Sequence, residues 1–175
     1  TSDDIEAQGF FEFEGFTGHL PMRRARAFSA WMQISVGCNC ACSYCIVPST
    51  RGREVSRPSA RIVEEIRALA AAGTSEVTLL GQTVNAYGRA RPGQVEGELA
   101  FADLIRRVAE IPGIRRIRFT SPHPRFVTPD LIRAFAEVPE LCPHLHLPVQ
   151  SGSSRVLEAM SRRYDRETYL DVIDR

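Results

Sequence analysis

Lysine is missing from the 175-residue sequence; all 22 basic residues are arginine. Nucleotide composition accounts for so uniform a choice. It also leaves a surface suited to phosphate, which a guanidinium grips with two parallel hydrogen bonds. The first 22 residues hold no base at all, against five acids (Asp3, Asp4, Glu6, Glu12 and Glu14). Residues 23–175 therefore set 22 arginines against the other 16 of the 21 acids, a local charge of +6. No apolar run is long enough to span a bilayer, and the opening TSDDIEAQ has neither the basic start nor the apolar stretch of a secretion signal. Membrane and exported classes are disfavoured, and a cytoplasmic protein is expected. With 43% hydrophobic and 25% charged residues the composition is that of a globular chain, which excludes low-complexity disorder. The length suffices for one domain with a buried core.

Cysteine is scarce but concentrated. Four of the five fall within eight residues, Cys38, Cys40, Cys42 and Cys45, while Cys142 stands apart. So dense a group does not pair internally with good disulfide geometry, and in a reducing compartment clustered thiols indicate metal or redox chemistry. A structural zinc site commonly takes two separated pairs of ligands, and there is no second pair here. A thioredoxin-type pair at Cys42 and Cys45 leaves Cys38 unexplained. An iron–sulfur cluster fits best, because thiolates select it and short spacings let a loop wrap it. Taking Cys38, Cys42 and Cys45 as ligands gives C-x3-C-x2-C. Three ligands on a four-iron cluster leave one iron open for a substrate or cofactor. Cys40, inside the first gap, is an accidental thiol or a misregistered ligand; the first is favoured, because the remaining spacing then has a known meaning.

Hydrophobic periodicity predicts strand–helix units. The uncharged stretch around AFSAWMQIS suits a buried parallel strand, followed by the cysteine loop through Gly52. Ser59 is expected to cap a helix with Ile62, Val63, Ile66 and Leu69 on one face and Gly73 as its stop. Strands are expected at Glu76–Leu80, Ile114–Thr120 and His144–Val149. Helices are expected around Phe101–Val108, from Thr128–Pro129 to about Val138, after Ser153, and after Asp165. Residues 88–98 read as a polar Gly/Pro loop. The fold class expected is α/β, built of parallel (βα) repeats, with polar turn motifs at the strand C-terminal ends where such sheets carry their chemistry. Residues 1–26 are expected to be a linker or edge segment from a preceding domain. Residues 27–175 are expected to be a core incomplete at its C-terminal end, because a helical pattern runs into Arg175 and four units leave an open strand edge.

The segment GCNCACSYC, with Tyr44 before the last cysteine, resembles the cluster loop of radical S-adenosylmethionine (SAM) enzymes. IVPSTRG (46–52), SRP (56–58), LLGQTVNAYG (79–88), FTSPHP (119–124), LHLPVQSGS (145–153) and MSRRY (160–164) together resemble the radical SAM methylthiotransferase family, and within it the tRNA-modifying branch. The similarity runs from about Phe28 onward. It implies a partial, open TIM-like radical SAM barrel. It implies a [4Fe–4S] cluster on Cys38, Cys42 and Cys45 with SAM chelating the open iron. The cleaved cofactor then gives a deoxyadenosyl radical that takes hydrogen from C2 of N-6-dimethylallyladenosine beside the anticodon, where a methylthio group is installed.

Other positions carry over from the same resemblance. Tyr44 is expected near the cofactor adenine. Gly81 and Gln82 stand where the superfamily binds the methionine amino group, although the usual acid is replaced by Gln82. Gln150 and Ser151 are assigned to the ribose, with helix capping as the competing role. Arg162 is assigned to the methionine carboxylate, with a solvated helix arginine as the competing role. His123 is a turn residue or a substrate contact. Arg51, Arg53 and Arg57 meet RNA phosphate or cofactor, or are merely solvated. The resemblance further implies a second [4Fe–4S] cluster in an absent N-terminal domain, a C-terminal RNA-binding barrel, a tRNA anticodon-loop substrate, and an electron donor such as a flavodoxin or ferredoxin. It also implies that these 175 residues alone do not complete the reaction. The alternatives are the relative that methylthiolates an aspartate of a ribosomal protein, a ferredoxin-like electron carrier, and a nonenzymatic RNA-binding module. The carrier would need all irons ligated, and the RNA module leaves the cysteine loop unexplained.

Overall fold

The structure, a computed structural model, describes residues 27–89 and 98–175. The expected linker at 1–26 and most of the polar loop at 88–98 lie outside the described residues.

Three parallel strands form the sheet: β1 (Ser29–Gln33), β4 (Glu76–Leu80) and β5 (Arg116–Phe119), in the order β1-β4-β5. Between β1 and β4 the chain makes β2 (Ser35–Val36), a short helix α1 (Val47–Arg51), β3 (Val55–Ser56) and the crossover helix α2 (Ser59–Ala71). Helix α3 (Phe101–Ala109) crosses from β4 to β5, and α4 (Pro129–Glu137), α5 (Ser154–Ala159) and α6 (Arg166–Asp174) follow. This is the parallel α/β arrangement expected, open rather than closed into a barrel.

The period-2 alternation of strands places Ala30, Met32, Val77, Leu79, Ile117 and Phe119 on one face, where all are buried. Ile62 and Ile66 of α2 and Leu104 and Ile105 of α3 cover that face and complete the core. Each such side chain contributes roughly 1.5–3 kcal/mol of transfer free energy. Of the three strands, β4 has three successive buried residues, as befits the central strand of the sheet. The first strand was expected to be buried on both faces; it is an edge strand, and Trp31 is exposed.

The helix ends follow local chemistry. Thr128 caps α4 by accepting the N–H of Leu131, with Pro129 at the first helical position, as expected. Asp165 caps α6 through the N–H of Thr168. Ser59, expected as a cap, is instead the first residue of α2 behind Pro58, and Ser153 stands at the cap of α5 without a side-chain bond to it. Gly73, with φ +94°, stops α2: Gly73 and Thr74 donate to the carbonyls of Ala70 and Leu69.

The fourth expected strand, His144–Val149, does not form. Among the described residues a single parallel bridge, Ile117 to Leu141, pairs the chain just before this region with β5. Pro148 has no N–H to give a ladder. The carbonyls of Leu147 and Val149 accept instead from the hydroxyls of Tyr169 and Tyr164, both at 2.8 Å.

Candidate functional site

The parallel register brings the C-terminal ends of β1, β4 and β5 to one edge of the sheet. The cysteine loop leaves from β2 at this edge. Gly37 turns the chain there with φ +77°, and a side chain at that position would run into the carbonyl of Arg53. Cys38 N–H then donates to Gly52 O, so the loop is closed at its base by the β2–β3 pair.

Cys38 and Cys42 are buried, and Cys45 and Cys40 are half-buried. The sulfur of Cys38 lies 3.2 Å from the hydroxyl of Thr83 and 3.3 Å from the N–H of Cys40. The thiol of Cys40 is pushed well above its ordinary pKa, first by its hydrogen bond with Cys38 and then by burial. Cys142 is remote, beside Ile117 and Arg116 in β5.

The MSRRY segment closes over the loop from the other side. Ser43 N–H donates to Met160 O, and its hydroxyl to Ala159 O. Helix α5 ends as α2 does: Ser161 and Arg162 donate to Glu158 O and Leu157 O, with Ser161 in the left-handed seat at φ 56°. That ending aims Arg162 inward. Its guanidinium donates to Cys42 Sγ at 3.2 Å, to Tyr44 Oη at 3.3 Å and to Tyr164 Oη at 3.3 Å. Burial works against its charge, but the bonds to Tyr164 and Cys42 outweigh burial and hold its pKa above the ordinary arginine value. Arg162 is therefore not a solvated helix arginine.

The remaining expected residues divide. Tyr44 is half-exposed beside Arg162. Gly81 ends β4, where an added Cβ would lie 2.5 Å from Ser35 Oγ. Gln82 follows it, and its Oε1 is buried with no partner among the described residues. Gln150 holds a positive φ of 70°, and Ser151 Oγ accepts the N–H of Ser153, a turn bond just ahead of α5 rather than a cap of it. Arg57 is a correction: it is buried, bound to Glu65 at 2.7 Å and to Gln33 O, so it braces α2 against β1 rather than meeting phosphate. Arg51 and Arg53 are exposed.

Two buried residues of the site escaped the sequence reading. Asn85 grips the backbone of His123 at both N–H (2.8 Å) and O (3.0 Å), tying the end of β4 to the end of β5. Thr83 is the other. Both lie in the run GQTVNAY, but their partners are tens of residues away. His123 is buried, accepts Arg125 N–H at Nδ1 and meets Tyr164 edge-on. Burial first, then the charges of Arg162 and Arg125, lower its pKa to about 4, so it is neutral. With Nδ1 accepting, the ring proton sits on Nε2.

Beside the loop lies a cavity of about 310 Å³ whose wall includes Asn39, Cys40, Arg89, Arg125, Arg162 and Arg163. Phe126 forms part of the wall, with the guanidinium carbon of Arg89 4.8 Å and that of Arg125 5.6 Å from its ring centre.

Among the described residues, no three Cys, His, Asp or Glu side chains converge as a single ion requires. A cuboidal cluster binds each thiolate at a different iron, and three thiols on one partly buried loop have the chemistry it needs.

Residues 32–175 match the Radical SAM superfamily. The chain belongs to that superfamily. Membership implies SAM and a [4Fe–4S] cluster, and places the chain among enzymes rather than electron carriers. The chain is 54% identical over 162 residues to a tRNA-2-methylthio-N(6)-dimethylallyladenosine synthase of Mycobacterium avium (strain 104), covering 91% of this chain and 23% of that protein. It is 51% identical over 164 residues to the protein of the same name from Rhodococcus jostii (strain RHA1), covering 93% and 32%. The chain thus spans less than a third of either relative. Among solved structures it resembles the cobalamin-dependent SAM radical enzyme OxsB (TM-score 0.59, 13% identity, 83% of this chain and 21% of that one). It also resembles the radical SAM methyltransferase TsrM of Kitasatospora setae (TM-score 0.56, 17% identity, 85% and 28%). These two likenesses concern the fold alone.

Proposed function

We propose that this chain is the catalytic core of a tRNA methylthiotransferase, which installs a methylthio group at C2 of N-6-dimethylallyladenosine next to the anticodon. The observation that carries the reading is identity of 51–54% to tRNA-2-methylthio-N(6)-dimethylallyladenosine synthases across 91–93% of the chain.

Cys38, Cys42 and Cys45 are the proposed ligands of the [4Fe–4S] cluster, and Cys40 remains a protonated thiol. When bound, the cluster supplies the electron that cleaves SAM to start hydrogen abstraction. The chain's own residues bind and orient. Gln82 Oε1, a buried acceptor without a partner among the described residues, is suited to the amino group of the methionine moiety. Arg162 is suited to its carboxylate and Tyr44 to its adenine. Gly81 keeps the strand end clear for close approach. Gln150 and Ser151 are assigned to the ribose; the Ser151 oxygen accepts the Ser153 N–H, and its O–H remains able to donate.

The cavity beside Cys40 favours an RNA substrate. Its arginines form no ion pair with Asp or Glu among the described residues, whereas Arg106 and Arg116 elsewhere are fully paired. The guanidinium groups of Arg89 and Arg125 beside the Phe126 ring suit a phosphate and an unstacked base of a single-stranded loop. In the full-length protein we place a second [4Fe–4S] cluster before this core, an RNA-binding domain after it, a flavodoxin or ferredoxin as electron donor, and the whole in the cytoplasm. These 175 residues alone are not expected to complete the transfer.

Nucleoside mass spectrometry of tRNA from cells lacking the full-length protein tests this. Loss of the 2-methylthio mark with the dimethylallyl group intact is expected. An intact mark would overturn the tRNA assignment and point to the ribosomal-protein relative.

A further inference from the structure

Thr83 stands at the N-cap of the short 3-10 helix Val84–Ala86, yet its side chain makes no capping bond. A threonine there ordinarily accepts an N–H from the following turn. Here the hydroxyl turns the other way, to 3.2 Å from Cys38 Sγ, 45 residues back in the chain, and 4.0 Å from Cys40 Sγ. Thr83 is 2% exposed and Cys38 8%, so water does not compete for the contact between them.

We propose that Thr83 is a positioning residue for the cluster: its hydroxyl donates a hydrogen bond to the Cys38 sulfur, fixing that ligand and raising the reduction potential of the centre it holds. The inference rests on the cluster reading above. A thiolate bound to iron has no proton, so Thr83 must be the donor, and hydrogen bonds to ligand sulfurs favour the reduced, more negative cluster. Cys38 also receives the Cys40 N–H and Cys42 receives Arg162, so two of the three sulfurs are supported by fixed donors. Thr83 follows Gly81 and Gln82, which couples the loop to the strand end assigned to SAM.

The test uses the full-length protein with its clusters loaded anaerobically, and Thr83→Val, which keeps the branched shape without the hydroxyl, beside Thr83→Ser, which keeps the hydroxyl. The readout is the midpoint potential of the electron paramagnetic resonance signal that changes on adding SAM. Thr83→Val is expected to shift that midpoint to more negative potential, or to lose that signal, and Thr83→Ser to stay near wild type. A midpoint in Thr83→Val equal to wild type, or an equal shift in Thr83→Ser, overturns the proposal. If the valine variant does not fold, Thr83→Ala is read by the same criteria. A wild-type protein with no SAM-responsive signal would instead overturn the cluster reading itself.

Discussion

The Arg162 guanidinium lies 3.2 Å from the sulfur of Cys42, 120 residues earlier in the chain. The same nitrogen reaches Tyr44, and Nε reaches Tyr164. One side chain thereby fastens the last loop of the sheet edge to the first.

Removing it should loosen the cysteine loop. Arg162→Met loses hydrogen bonds made by a charged group, worth roughly 1.5–3 kcal/mol each. Lower thermal stability and reduced iron loading are expected. Arg162→Lys should recover only part of both, because an ammonium cannot span the three partners as the planar fork does. Calorimetry and iron assay check this.

The left-handed seat that aims Arg162 is held by a serine. Glycine occupies the equivalent seat after α2. Ser161→Gly should therefore raise stability by about 1 kcal/mol in urea denaturation, since αL backbone is costly for residues with a Cβ. A loss of stability would mean that the serine side chain has a further role.

His123 sets an acid dependence. Its folded pKa is about 4, below the ordinary 6.5. As pH falls from 6.5 to 4, the unfolded chain takes up a proton that the folded chain refuses. Stability should drop over that window, by on the order of 3 kcal/mol from this group, and level off below it. His123→Asn should flatten the dependence, measured as unfolding free energy from pH 7.5 to 4.

Much of the architecture was legible in the residues. The apolar spacing of Ile62, Val63 and Ile66, the Thr128–Pro129 start and the Asp165 cap are local signals, and the elements form where those signals are. The spacing of Cys38, Cys42 and Cys45 is likewise a local signal. Leu145–Val149 misled, because alternating apolar residues mimic a strand and the tyrosine hydroxyls that claim its carbonyls come from beyond the segment. The two-residue strands β2 and β3 are too short for any period. Thr83, Asn85 and the inward turn of Arg162 depend on contacts across the fold, which no local pattern carries.

Gly37 fixes where the cysteine loop departs. Gly37→Ala would force a side chain against the Arg53 backbone at a left-handed φ. The sheet and its helices should survive, read by circular dichroism, while iron incorporation into the loop falls severalfold.

The central claim is that Cys38, Cys42 and Cys45 hold one cluster. Its most direct test is SAM-dependent formation of 5′-deoxyadenosine by the full-length protein carrying single cysteine-to-serine changes. Cys38→Ser, Cys42→Ser and Cys45→Ser should each abolish the product, while Cys40→Ser and Cys142→Ser should keep it. Product at wild-type level from any of the first three would contradict the account.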